Sequence, residues 1–309
     1  MTIDIFPTFN LLARPGATIS FPPFTREGES TRIDATGARV SVASNTLRHD
    51  FERNSGVYRG LLLEGRRDNL LLNSLAPASQ TVTLDAGTYT LSVHGAGSAT
   101  LSGAASGSAS EGTPLTVTTG GGSVTVTVTG TPDAFQLELG AFASSVIPTT
   151  SVSGRRDYDG LYGSIADIAM RPDEGTLYVE ASTFGLSHAL TALELSSDQN
   201  NRLSLRFDGS RRPSVMVKAA SVVEAEITAS TAAAADAPVR MAVAYASGEV
   251  SFCVAGTIIG TAAPAALPAV THLLCGVNIG ATECLYGHFR HGAYFPRRLS
   301  DADLQLLTR

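Results

Sequence analysis

"GTPLTVTTGGGSVTVTVTG", residues 112–130, decides the fold class: Leu115, Val117, Val124, Val126 and Val128 alternate with polar residues on both sides of a glycine turn. Alternation at period two buries one side chain and wets the next, which marks a half-buried strand; a helix would repeat its apolar positions every three or four residues. "SQTVTLDAGTYTLSVHGAGSATLSG" at 79–103 follows the same rule through Val82, Leu84, Tyr89, Leu91 and Val93, and "DAFQLELG" at 133–140 through Phe135, Leu137 and Leu139. These stretches predict a small antiparallel sandwich over residues 72–147. The glycines of "TTGGGS" sit between two strands, so they serve a turn and not a phosphate.

Upstream lies "RGLLLEGRRDNLLLNS", residues 59–74, two leucine triplets around a charged centre. Each triplet is far shorter than the roughly 20 apolar residues of a membrane-spanning helix. Gly60, Gly65 and Asn69 punctuate the runs, which read as two buried extended segments around a polar turn. Leu61, Leu62, Leu63, Leu70, Leu71 and Leu72 are expected to act as a staple, with Glu64, Arg66 and Arg67 in a polar seam, as a salt bridge or a solvated turn. Residues 1–58 have no helical period and read as an irregular arm that needs something to lie against.

Downstream, "SSVIPTTSVSGRRDYDG" reads as a linker, placing a boundary near residue 155. Beyond it, short strand-like runs such as "GTLYVEASTFG", "HALTALELSS", "NNRLSLRFDGS" and "GHFRHGAYFPRRL" recur between turn signals, as in a β-sandwich or jelly roll. Ser247-Gly248 should turn a tight hairpin in "YASGEVSFCVAG". "LSDADLQLLTR" predicts a short terminal helix capped by Ser300, with Asp303 in its first turn. The expected domains are 1–58, an attachment and oligomerisation arm; 59–154, the small sandwich with its staple; and 155–309, the larger sandwich.

Composition narrows the function. The 309 residues include 30 Gly, 14 Pro and no Trp, which favours an all-β chain rich in turns. A net charge of −6 disfavours nucleic acid or an anionic membrane surface as partner. Three cysteines, Cys253, Cys275 and Cys284, lack zinc-site spacing and are expected as buried free thiols. "MTIDIFPTFNLLARPG" has no basic region leading into a long apolar core, so no signal peptide is expected and synthesis is expected in the bacterial cytoplasm.

The order "FTREGESTRIDATGARVSVASNTLRHDF", "GLLLEGRRDNLLLNS", "FQLELGAFASSVIPTTSVSGRRDYD" and "AYFPRRLSDADLQLLT" resembles a family of bacteriophage or gene-transfer-agent head or tail fibre and spike proteins. The resemblance spans nearly the whole chain. It implies an arm, a carbohydrate-binding-like small sandwich and a concanavalin A-like (laminin G-like) jelly roll. It also implies a place on the surface of a virion or virus-like particle, contacts to capsid or tail proteins through the arm, and a homo-oligomer, trimer or pentamer. The chain departs from the family at Asp68, where Thr is more usual before Asn69, a change expected to loosen a local turn contact.

No nucleophile elbow, zinc-protease motif or phosphate loop occurs. Glycan cleavage would need two carboxylates across a groove; Asp157, Asp159, Glu194 and Asp198 are the candidates, and no catalytic role is assigned to them. His288 and His291 should face opposite sides of a strand, and Asp198, Asn200 and Asn201 read as a hairpin turn, so neither a metal nor a cofactor is expected. Lectin-type recognition needs aromatic faces and planar hydrogen-bonding groups. Arg155, Arg156, Asp157, Tyr158 and Tyr162 offer these together and are the expected carbohydrate contact, the partner being a bacterial surface polysaccharide. The alternatives are a structural adaptor or decoration protein of the particle, and a polysaccharide depolymerase.

Overall fold

A computed structural model describes residues 6–185 and 189–309. Residues 1–5 of the N-terminal stretch, and His188 of the expected strand "HALTALELSS", lie outside the described residues. Among the described residues the chain is all-β apart from one short 3-10 turn, Ile165–Ile168, and one helix, Asp301–Leu307. No helix among the described residues is long and apolar enough to cross a membrane.

The chain divides into two compact units, and each is discontinuous in sequence. The larger comprises the segment ending at Thr25, Leu47–Gly65 and Tyr158–Arg309. It holds an eight-stranded and a seven-stranded antiparallel sheet. Leu61, Leu177, Val243, Phe252 and Phe289 from the first sheet and Leu193, Leu205, Val217 and Cys275 from the second fill one core, as in a jelly-roll sandwich. Strand Gly287–Phe295 is central to the first sheet: it pairs with Phe9–Leu12, Tyr58–Leu63 and Glu174–Ala181.

The expected arm therefore needs correction. Phe9 and Leu11 point into the large core while Asn10 and Leu12 point out, so "FNLL" is a strand of this sheet. Strands His49–Phe51 and Tyr58–Leu63 extend the same sheet. Such strands of three to six residues are too short to show a period of their own, and their apolar faces are covered only by distant partners.

The smaller unit, Arg26–Thr46 and Arg66–Asp157, is built on a five-stranded antiparallel sheet. Its long strands, Gly87–Gly103 and Gly122–Leu139, pair along almost their whole length, with a register shift between Pro132 and Ala134. Leu91, Val93, Leu101, Val124, Val126, Phe135 and Leu137 alternate inward to one core, as the period-two reading requires.

The two leucine triplets therefore part company. Leu61, Leu62 and Leu63 are buried in strand Tyr58–Leu63 of the larger unit. Leu71 fills the smaller core, with Leu70 partly buried against it, whereas Leu72 is largely exposed. Each run serves its own unit, so the single staple expected across 59–74 is not what forms. The hairpin at Ser247-Gly248, the free buried cysteines and the Ser300 cap, whose Oγ accepts the Asp303 N–H, are as expected.

Candidate functional site

In the seven-stranded sheet, period two sends alternate residues of each strand into the core and leaves the others on one outer face. Cross-strand register aligns these outer residues in rows. One row runs Tyr162, Leu274, Glu194, Ser204, Met216, Glu226. A second runs Ser164, His272, Ser196, Arg202, Lys218, and a third sets Thr191, Arg206 and Ser214 side by side. No single segment carries this arrangement.

The groups are locked to one another. Arg202 donates two bonds to Glu283, Nη1 to Oε2 and Nη2 to Oε1, each 3.0 Å. Glu194 is fully buried and accepts from Ser204 Oγ at 2.6 Å and from the Ile279 N–H at 3.1 Å. Burial pushes its carboxyl above the usual carboxylate range, against the pull of the Ser204 bond and the Arg202 charge 3.6 Å away. Arg206 reaches Glu226 at 2.5 Å.

The loop between strands His272–Cys275 and Gly287–Phe295 shapes one end of this face. Buried Asn278 organises it: its Oδ1 accepts the N–H groups of Thr282 and Glu283 at 2.8 and 2.9 Å, and its Nδ2 donates to Thr282 Oγ1 at 3.1 Å. Gly276 enters the loop at φ +75°, where an added Cβ would collide with Leu63. Tyr158 and Tyr162, both half-buried, pack against the cluster of Leu274, Val277 and Cys284, and Tyr162 Oη bonds to the Asn278 carbonyl at 3.4 Å. Burial, together with neighbouring Tyr158, pushes the Tyr162 phenol upward, so it stays protonated as a donor. A half-buried tyrosine pair beside this hydrogen-bonded loop presents aromatic faces, while the guanidinium–carboxylate network of Arg202, Glu194 and Glu283 lies almost wholly buried and holds the loop in place.

Tyr158 and Tyr162 are thus brought together as the sequence suggests. Arg155, Arg156 and Asp157 belong to the smaller unit. Arg155 is exposed and bonds Asp68 at 2.6 Å, so the departure at Asp68 supplies an ion pair to the strand pairing of Arg67–Asn69 with Gly154–Arg156. Arg156 is a correction: its side chain is wholly buried and donates to Ser145 Oγ at 2.9 Å and Ser144 Oγ at 3.3 Å, so it cannot touch a glycan. The main-chain N–H of half-buried Asp157 donates to Glu27 O at 2.9 Å.

Asp159, Glu194 and Asp198, three of the carboxylates considered for cleavage, are each engaged by partners of their own. Asp159 is fully buried and, with Glu64, encloses Arg48. Asp198 accepts the N–H groups of Asn200 and Asn201 in the expected hairpin turn. Buried His288 bonds Asp236 and Asp50, while His291 bonds Asn10. Among the described residues, no group of three or more His, Cys, Asp or Glu is arranged to hold a metal ion. Arg202, Arg206 and Glu283 were missed; the signal for the first two was the alternation in "NRLSLRF", which puts Arg202, Ser204 and Arg206 on one face.

No family model and no curated protein matches the chain. Among solved structures, it is similar to the Ruminococcus gnavus IT-sialidase CBM40 bound to alpha2,3 sialyllactose, at 14% identity and TM-score 0.41 over 47% of this chain and 86% of that one. It is similar to the Streptococcus pneumoniae NanB sialidase (K499G mutant), at 14% identity and TM-score 0.40 over 48% of this chain and 26% of that one. The heptameric SAP-like pentraxin of Limulus polyphemus follows at 9% identity and TM-score 0.35, over 43% and 68%. Likenesses this distant lend the chain no residue and no ligand.

Proposed function

We propose that this chain is a glycan-binding spike or fibre protein of a phage or gene-transfer-agent particle, adsorbing to a bacterial surface polysaccharide without cleaving it. The observation that carries the glycan reading is the Tyr158–Tyr162 pair, half-buried and seated against the Asn278 loop. Pyranose rings bind through C–H faces laid on aromatic rings and hydroxyls met by planar polar groups, and immobilised tyrosines lose little entropy on binding. The particle, its surface location and a homo-oligomeric state rest on the sequence resemblance. The non-enzymatic reading is supported by the engagement of Asp159 with Arg48 and of Glu194 with Ser204.

The test is binding of the purified protein to cells and to their extracted capsular polysaccharide, with polymer length followed over time. Saturable binding at constant length is expected. Shortened polymer would establish a depolymerase, and absence of binding would leave a structural adaptor of the particle.

A further inference from the structure

The larger unit holds a second recess that shares no residue with the tyrosine patch. It is an open cleft of about 520 Å³, within the size range of small-ligand sites. Its lining includes short apolar side chains, among them Pro213, Ala233, Val239 and Val254. Arg240, Arg290 and Glu180 line it as well. Glu180 is shared: its Oε2 accepts from Arg240 Nε at 2.9 Å, and its Oε1 lies 3.7 Å from Arg290 Nη1. Arg290 is anchored by its Nε, which donates to the Arg59 carbonyl at 2.7 Å. Among the described residues, neither guanidinium spends its Nη2 on Glu180, and their side chains are 46% and 33% exposed. Arg309 also lines the cleft, and its main-chain oxygen accepts from Arg240 Nη1. Three guanidiniums, Arg240, Arg290 and Arg309, thus share the lining with one side-chain carboxylate, Glu180, an excess of positive charge in a chain whose formal net charge is −6.

We infer that this cleft binds the carboxylate of an acidic sugar, a uronic acid residue within a polysaccharide. A guanidinium fork matches a carboxylate, and an excess of positive charge favours an anion. Proline, alanine and valine side chains in the lining can meet the C–H face of a pyranose, and a cleft open to solvent admits a residue inside a polymer. The inference does not depend on the tyrosine patch, which would bind through ring stacking.

Calorimetric titration of the full chain with trigalacturonate and with triglucuronate tests it, using the carboxyl-reduced trimers as neutral controls. Saturable binding of at least one acidic trimer is expected, weakened about tenfold or more when its carboxyls are reduced. Raising the salt from about 0.1 to about 1 M, which shortens the screening length from about 10 to about 3 Å, should weaken it further. Ala232→Asp adds a negative charge at an exposed lining position without removing an ion pair, and should abolish most binding in a protein whose melting is unchanged. Tyr162→Ala should leave this binding intact. Equal affinity for reduced and unreduced trimers, indifference to Ala232→Asp, loss only with Tyr162→Ala, or no binding of either acidic trimer would overturn the inference.

Discussion

Arg48 and Glu64 meet at 2.7 Å with both side chains wholly buried, and Asp159 closes on the same guanidinium from a position 111 residues away in sequence. Asp159 Oδ2 also accepts the Glu64 N–H at 2.8 Å, and the Asp159 N–H returns a bond to the Glu64 carbonyl at 2.9 Å. Burial works against the Arg48 charge, but Asp159 and Glu64 overcome it and raise its pKa. Glu64, from the charged centre of the leucine stretch, is thereby part of a structural ion cluster inside the larger unit, whereas Arg66, Arg67 and Asp68 belong to the smaller one.

Arg48→Met should strand two buried carboxylates. Removing one partner of a buried ion pair costs about 3–5 kcal/mol. Chemical denaturation should show the loss, and Arg48→Met combined with Glu64→Gln and Asp159→Asn should recover part of it.

The His288 cluster should make stability depend on pH. Burial opposes the imidazolium, but bonds to Asp236 at 2.7 Å and Asp50 at 2.9 Å prevail and raise the His288 pKa. The Asp236 carboxyl is buried too, yet its bond to His288 holds its pKa below the usual value. A raised histidine contributes in full below its unfolded pKa of about 6.5 and loses that contribution as pH rises through the folded pKa. Asp236 loses its own contribution as pH falls through its depressed pKa. The stability difference between wild type and His288→Gln should therefore be greatest in mildly acidic solution and shrink on the alkaline side. Titration of the His288 ring by NMR should give a midpoint above 6.5.

Asn69 and Asp68 are neighbours with opposite expected effects. Asn69 is fully buried, its Oδ1 accepts the N–H groups of Leu71 and Leu137, and its Nδ2 donates to the Ile147 carbonyl. Asn69→Ala should cost about 1–3 kcal/mol for each orphaned buried group that cannot find water. Asp68→Ala breaks only an exposed pair with Arg155 and should cost less than about 1 kcal/mol. Denaturation midpoints of the two variants distinguish them.

Tyr162→Ala should weaken neutral-glycan binding by about tenfold or more while the sandwich stays folded, because a packed aromatic contact commonly carries about 2 kcal/mol of an interface. Tyr162→Phe keeps the ring and should retain most of the affinity. Equal binding by all three forms in a direct polysaccharide assay would move the site elsewhere.

Strand character, the inward faces of the small sheet, the Ser247-Gly248 hairpin and the Ser300 cap were legible in the chain by itself. Each depends on residues within a few positions of one another, where side-chain direction follows from the local backbone. The partners of Arg48, the rows that set Leu274 between Tyr162 and Glu194 and Thr191 beside Arg206, and the entry of "FNLL" into the large sheet were settled by tertiary structure alone. Period two tells which way a residue points relative to its own strand. Which strand lies alongside, and in what register, depends on long-range pairing, and that pairing turned an apparent arm into sheet and one leucine staple into parts of two cores.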